Sequence, residues 1–155
     1  MKVVIGSDHG GYRLKEDLKP YVESLGHEVI DIGCHSEQST DYPDYAGVAC
    51  EKVLSGEADK AILVCGTGIG MCIAANKIPG IRCALLSDTF SAQATREHND
   101  TNVLALGGRV VGPGLAREIV RVWLETPFSR EERHVQRLNK IRALEEKYAG
   151  RAERA

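Results

Sequence analysis

A single cysteine separates an apolar run from a glycine-rich loop in the segment VCGTGIG, residues 64–70. Glycines at 66, 68 and 70 leave backbone N–H groups unblocked, and a helical pattern follows, so the loop suits an anion. A helix N-terminus also favours the thiolate form of Cys65, which could act as a base beside an oxyanion hole. This combination favours proton abstraction next to a carbonyl. The alternative for Cys65 is a small buried apolar side chain.

Spacing excludes three better-known uses of such a loop. A Walker loop requires Gly-Lys-Ser/Thr after the glycines, and that triplet is absent. The dinucleotide pattern needs a third glycine, and a cysteine phosphatase needs an arginine, at the position that Met71 occupies. The lack of a C-x-x-C pair counts against thioredoxin-type chemistry and zinc ribbons. The remaining cysteines are interpreted as reduced packing residues: Cys34, Cys50, Cys72 and Cys83.

Strands and helices must alternate to position this loop. Five apolar runs are continuous, which is typical of strands buried on both faces: residues 3–5, 29–32, 61–64, 83–86 and 103–106. Helical patterns occupy the segments between them and after the last: 14–25, 45–54, 70–77, 89–96 and 113–124. We therefore predict an α/β fold, a Rossmann-like doubly wound parallel sheet of about five strands in three α/β/α layers. An extra C-terminal helix, 131–148, has a narrow apolar stripe that suits its own domain or a second subunit.

The carboxyl edge of such a sheet is where ligands bind. Asp8 and His9 follow the first strand, the thiol loop follows the third, and Arg109 follows the fifth. His98 and Asn99 come just before the fifth strand. We expect these side chains to meet at one edge, although each alone could be a turn or cap residue.

Two arginines one turn apart on the last helix, Arg133 and Arg137, share a face. With His134 and Arg109 they could hold a phosphate through paired N–H donors. A solvated face of a charged helix is the alternative.

Composition limits the remaining function classes. A chain of 155 residues predicts one domain over residues 1–150, with 151–155 as a frayed tail. The net charge of −2 and the absence of a nucleic-acid motif argue against nucleic-acid binding. No apolar run approaches a membrane span or a secretory signal, so we expect a cytoplasmic protein that contacts no membrane. The scattered histidines give little support to a metal site.

Six segments together resemble the ribose-5-phosphate isomerase type B family, which is grouped with bacterial galactose-6-phosphate isomerase subunits. They are GSDHGGY (6–12), TDYP (40–43), VCGTGIG (64–70), AANKIPGIR (74–82), EHNDTN (97–102) and GGRVVG (107–112). The resemblance runs from residue 3 to about 141. It implies reversible interconversion of ribose 5-phosphate and ribulose 5-phosphate without metal or organic cofactor. It also implies a homodimer or homotetramer with active sites shared between subunits.

The resemblance further implies roles for individual residues. Cys65 would be the base that moves a proton between C1 and C2, while His98, assisted by Asp8, would open the sugar ring. The resemblance also places Thr67 among the catalytic residues. The remaining positions would bind substrate: His9, Tyr42, Gly66, Gly68, Ile69, Gly70, Asn99, Arg109, Arg133 and Arg137. Cys65 and Met71 place the chain in the cysteine branch, whereas the segment SREE (129–132) departs from the family's glycine-rich link.

Two alternatives stay open. A nucleotide-binding regulatory domain would explain the parallel sheet and the glycine loop, but not the thiol, imidazole and acid together. A six-carbon substrate, galactose 6-phosphate or allose 6-phosphate, would keep the same chemistry in a larger pocket.

Overall fold

The apolar runs form strands, and the helical patterns form helices, in a computed structural model that describes residues 1–149. The strands are β1 (Lys2–Ser7), β2 (Glu28–Asp31), β3 (Lys60–Cys65), β4 (Cys83–Leu85) and β5 (Val103–Gly107). The helices are α1 (Tyr12–Ser24), α2 (Tyr42–Leu54), α3 (Ile69–Ala75), α4 (Thr89–Asn99), α5 (Pro113–Glu125) and α6 (Glu132–Tyr148). The predicted Rossmann-like α/β fold is confirmed.

The sheet is parallel throughout, in the order β2-β1-β3-β5-β4. Its three central strands end level with one another, because Ser7 of β1 pairs with Val64 of β3, and Cys65 pairs with Gly107 of β5. The loops that leave these strands therefore begin side by side at the carboxyl edge.

Each face of the sheet has its own apolar core. One core packs α1, α4 and α5 against the sheet around Leu18 and Trp123, and the other packs α2 and α3 around Ala49 and Met71. Trp123 is fully buried, and its indole N–H donates to the hydroxyl of Thr101 at 2.9 Å. Burial on both faces explains why the strand runs are continuously apolar.

Helix boundaries depart from the sequence pattern at two places that concern the site. α2 begins at Tyr42, three residues earlier than predicted, with Asp41 as its N-cap and a proline in its first turn. α4 continues to Asn99 instead of ending at Arg96. It ends because Asp100 adopts a left-handed conformation (φ 44°) and donates its backbone N–H to the Arg96 carbonyl.

α6 follows α5 without an intervening strand and packs beside α4. The predicted domain boundary at residue 150 and the predicted tail 151–155 lie outside the described residues. Among residues 1–149, no helix is both long enough and apolar enough to cross a membrane.

Candidate active site

The floor of the site consists of backbone. Three glycine-bearing segments meet where the central strands end: residues 10–11, 65–70 and 107–108. A Cβ added to Gly11 would overlap the Val64 carbonyl, and one added to Gly107 would lie 2.7 Å from the Thr67 carbonyl oxygen. Glycine at these positions lets the loops pack backbone against backbone, which brings their N–H groups to one surface.

Cys65 ends β3 with its side chain 4% exposed. The backbone N–H of Gly68 donates to its sulfur at 3.1 Å. Gly68 has a φ of 77°, and an added Cβ would lie 2.8 Å from the backbone carbonyl carbon of Leu106, so only glycine fits here. The loop thus directs a backbone N–H donor at the sulfur.

Asp8 and His9 leave β1 beside the thiol loop. One carboxylate oxygen of Asp8, 7% exposed, accepts N–H groups from Gly10 at 2.8 Å and Gly11 at 3.1 Å. Nδ1 of His9 accepts the backbone N–H of Thr40 at 3.3 Å, so the neutral ring carries its proton on Nε2. Both side chains are held by backbone groups at the carboxyl edge.

Arg109 and Tyr42 stand on either side of the glycine loop. The Arg109 N–H donates to the Gly66 carbonyl at 3.0 Å, and its guanidinium would lie 3.5 Å from a Cβ on Gly66. The Tyr42 ring covers Gly70, where an added Cβ would lie 2.8 Å from the ring. These contacts place the two predicted substrate-binding side chains next to the thiol loop.

A cavity of about 270 Å³ opens at this edge, beside His9 and Arg109. Its rim holds an ion pair that sequence reasoning missed, between Arg13 in the first turn of α1 and Glu37. The available signal was the position of Arg13, five residues after Asp8 and four after His9. Among residues 1–149, no group of three or more His, Cys, Asp or Glu side chains could hold a metal ion.

His98 and Asn99 lie at the opposite edge of the sheet. α4 runs back along the sheet, and Arg82, just before β4, donates from Nε to the Asn99 carbonyl at 3.0 Å. Cys65 pairs with Gly107, the last residue of β5. The first residue of β5, at the opposite edge of the sheet, lies four residues away, about 13 Å along the strand. The expectation that all the site residues meet at one edge of a single chain is therefore wrong for His98 and Asn99.

The phosphate residues predicted on α6 also lie at this amino edge. Arg133 and Arg137 are exposed, and Nε of Arg133 pairs with Glu131 at 2.7 Å. The ring of His134, between them in sequence, stacks on His98 with centroids 4.4 Å apart. Within one chain, neither arginine is at the edge that carries Arg109.

His134 attaches α6 to α4 instead of facing a ligand. It is 2% exposed, and its Nδ1 shares a 2.7 Å hydrogen bond with the Ser129 hydroxyl. Burial, followed by the charges of His98 and Arg133, lowers the pKa of His134. The predicted contribution of His134 to a phosphate clamp is therefore wrong, because the ring is enclosed.

One chain thus carries two separate clusters of candidate site residues, which we call the carboxyl half-site and the amino half-site. The carboxyl half-site has the thiol, an acid, an imidazole, an arginine and backbone donors; the amino half-site has the His98 imidazole, an amide and two arginines. The first can move a proton next to a carbonyl and stabilise the resulting oxyanion. The second offers an acid–base group and two cationic side chains.

Comparison with known proteins indicates which class of reaction this chemistry serves. Residues 3–141 match the family described as Ribose/Galactose Isomerase. The chain is similar to ribose-5-phosphate isomerase B of Escherichia coli, with 48% identity over 94% of this chain and 97% of that protein. It is 42% identical to D-erythrulose-4-phosphate isomerase 2 of Mycolicibacterium smegmatis, over 94% of this chain and 97% of that protein. The structure of Clostridium thermocellum ribose-5-phosphate isomerase B superposes with a TM-score of 0.94 at 51% identity, covering 96% of this chain and 100% of that one.

Proposed function

The chain belongs to the Ribose/Galactose Isomerase family, and from that premise we propose that it interconverts ribose 5-phosphate and ribulose 5-phosphate. Family membership makes it a sugar phosphate isomerase; the five-carbon substrate is the proposal. The observation that carries it is the thiol of Cys65, held by the Gly68 N–H at the mouth of the carboxyl half-site. Similarity to the E. coli and C. thermocellum type B enzymes supports the choice of ribose 5-phosphate.

In the proposed reaction, the Cys65 thiolate removes the proton from C2 of the open-chain aldose. The electron pair forms the C1–C2 double bond of an enediolate, and the former carbonyl oxygen takes the negative charge. Backbone N–H groups of residues 66–70 stabilise that oxygen, with Thr67 exposed at the same loop. The C2 hydroxyl proton passes to the C1 oxygen, and return of the proton from Cys65 to C1 completes the ketose.

Ring opening requires a second acid–base group, and we propose that it comes from another protomer. In a dimer with shared sites, His98 and Asn99 of one chain would face Cys65 and Asp8 of the other. An imidazole near neutral pH can move a proton between the C1 hydroxyl and the ring oxygen. The separation of the two half-sites within a chain supports this arrangement.

Exposed apolar side chains surround the thiol loop and fit such a contact. Phe90, at the start of α4, is 81% exposed, and Ile69, Ile73 and Leu85 are also exposed. Apolar surface of this kind, next to a polar site, is typical of a protein interface. We propose that the amino half-site of a partner protomer covers it, in a homodimer or a homotetramer.

The phosphate would then be held from both sides. His9 and Arg109 belong to the carboxyl half-site, whereas Arg133 and Arg137 would arrive from the partner with His98. Guanidinium groups bind a phosphate dianion through paired N–H donors. In the alternative, the α6 arginines remain a solvated helix face and contribute nothing to substrate affinity.

Steady-state kinetics of the purified protein test the substrate. Ribose 5-phosphate should give a higher kcat/KM than galactose 6-phosphate, allose 6-phosphate or D-erythrulose 4-phosphate. The four-carbon comparison is included because one close relative bears that name. A higher value for a six- or four-carbon sugar phosphate would overturn the substrate assignment. Nucleotide binding without turnover of any sugar phosphate would favour the regulatory-domain alternative.

A further inference from the structure

Two cysteines outside the proposed mechanism lie in contact on the face of the sheet that carries α3. Sγ of Cys72, in α3, is 3.5 Å from the carbonyl oxygen of Cys83, the first residue of β4. The Cys83 thiol is also near enough to the Cys72 sulfur for each to shift the pKa of the other. Sequence reasoning interpreted both as packing residues, and their adjacency is visible only in the fold.

Asn76 holds the two cysteines together. Its side-chain oxygen accepts the Cys83 N–H at 2.8 Å, and its amide donates to the Cys83 carbonyl at 2.9 Å. The same amide nitrogen lies 3.4 Å from Sγ of Cys72. The end of α3 is thereby tied to the start of β4, which holds Sγ of Cys72 beside the Cys83 backbone.

The two sulfurs differ in charge and access. The hydrogen bond from the Cys83 thiol, together with the Leu85 N–H and the Asn76 amide, lowers the pKa of Cys72 to about 6, although burial opposes it. Contact with Cys72 and burial raise the pKa of Cys83, which is 9% exposed. Burial alone raises the pKa of Cys50 to about 11. Cys72, which is partly exposed, therefore has the thiolate character and the adjacent thiol found at redox-sensitive cysteines.

We propose that Cys72 and Cys83 are a peroxide-oxidised pair, in which Cys72 reacts first and Cys83 resolves the product as an intramolecular disulfide. The Cys72 thiolate attacks one oxygen of hydrogen peroxide, the O–O bond breaks, and a sulfenic acid and hydroxide result. The Cys83 sulfur then attacks the Cys72 sulfur and expels the hydroxyl, while its own proton completes a water molecule. The hydroxide takes up the proton that Cys72 released when it ionised, so two thiols supply two electrons and one peroxide becomes two waters. A dithiol reductant reverses the reaction.

A bond between these sulfurs would act on the catalytic loop. The Cys72 N–H donates to the Gly68 carbonyl at 3.0 Å, and the Gly68 N–H in turn donates to the Cys65 sulfur. Closing the sulfurs to the ~2.05 Å of a disulfide shifts the first turn of α3 against this chain of contacts. Oxidation should therefore lower turnover reversibly. That consequence, unlike the disulfide itself, rests on the proposed role of Cys65.

Peptide mapping of the full-length protein tests the pair. The protein is treated with a small excess of hydrogen peroxide, blocked with N-ethylmaleimide and digested with trypsin without reductant. Cleavage separates residues 61–77, which contain Cys65 and Cys72, from residues 83–96, which contain Cys83. The expected product is these two peptides joined, about 2 Da below the summed mass of the two peptides with N-ethylmaleimide on Cys65 alone.

Variants identify the bonded sulfurs. The joined peptide should fall at least about tenfold in Cys72→Ser and in Cys83→Ser, and it should persist in Cys65→Ser and in the control Cys50→Ser. Its absence from the wild type, or its persistence in Cys72→Ser, overturns the proposal. This mass readout does not depend on whether the protein turns over ribose 5-phosphate.

Turnover measured in the same samples tests the coupling. Wild type should lose activity under peroxide and regain it with dithiothreitol, whereas Cys72→Ser and Cys83→Ser should lack this reversible component. Equal reversible losses in all three proteins would assign the effect to Cys65 and refute the coupling through Gly68. A reduced enzyme with no isomerase activity would refute the proposed function and leave the mapping result standing.

Discussion

Mixing two inactive variants should restore activity if each active site draws on two chains. Cys65→Ala removes the proposed base at the carboxyl edge of the sheet, and His98→Asn removes the proposed ring-opening group at the amino edge. Loss of one acid–base group costs roughly 10²-fold or more in rate. Each variant alone should therefore retain about 1% of wild-type turnover, or less.

The recovery follows from the placement of the half-sites. In a mixed dimer, one site combines the unaltered carboxyl half of one chain with the unaltered amino half of the other. The second site carries both changes. Random assortment of equal amounts makes about half of the dimers mixed, each with one of two sites intact, so about a quarter of wild-type activity should return.

Ribose 5-phosphate turnover after subunit exchange measures this recovery. A matched control pairs Cys65→Ala with Asp8→Asn, because both residues belong to the carboxyl half-site of the same chain. Every site in that mixed dimer then carries one change, so no activity should return. Native mass spectrometry verifies that mixed dimers have formed.

Two results would refute the reasoning. If mixed dimers of Cys65→Ala and His98→Asn form but stay inactive, the two residues do not act in one shared site. If the Asp8→Asn control recovers as much activity, the recovery does not report which edge each residue occupies.

Three further predictions concern the loop, the acid stability and the phosphate. Gly68→Ala should lower kcat more than tenfold and lower the melting temperature by several degrees. The reason is that an alanine in the left-handed conformation costs roughly 1–2 kcal/mol, to which its clash with Leu106 is added. An unchanged kcat would contradict the loop geometry. Asp31→Asn should cost about 2 kcal/mol of unfolding free energy at pH 7, since hydrogen bonds from Lys15 and Lys19 outweigh burial and lower the pKa of Asp31 to about 2. That contribution is complete above pH 4 to 5 and is lost as the pH falls towards 2, so urea unfolding at pH 7 and pH 3 should show a shrinking difference; a constant difference would argue against it. Arg137→Ala should raise KM for ribose 5-phosphate about 10- to 100-fold, and Arg137→Lys should raise it less. The KM for unphosphorylated ribose should not change. Equal effects on both sugars would indicate that Arg137 is a solvated side chain.

The strands were predictable because a strand that is buried on both faces is continuously apolar in sequence. Runs such as Val3–Ile5 and Ala61–Val64 contain no polar residue, and short runs of this kind are typical of strands inside a parallel sheet between helices. The exits of β1, β3 and β5 followed from that assignment, and with them the positions of Asp8, Cys65 and Arg109. The carboxyl half-site was therefore accessible from sequence.

The amino half-site was misplaced for a geometric reason. Closeness in sequence to the start of β5 was interpreted as closeness to the carboxyl edge, although a helix that follows a parallel strand returns to the amino edge. No glycine or proline marks the end of α4, where Asp100 ends the helix in a left-handed conformation. His134 was misjudged because its neighbours on α6 are charged, while the packing of its ring on His98 depends on the fold.

If Cys65 and His98 act in one reaction, as the resemblance implies, the same geometry requires a second protomer. The resemblance assigns Cys65 and His98 to one reaction, and a parallel sheet forbids that pairing within a chain, because β3 ends where α4 begins its return. A second protomer removes the conflict if its α4 end, together with the arginines of α6, is placed over the thiol loop. The exposed Ile69, Leu85 and Phe90 around that loop provide apolar surface for the contact. Association and catalysis would then depend on the same surface, so a change such as Phe90→Asp should weaken the dimer and turnover together.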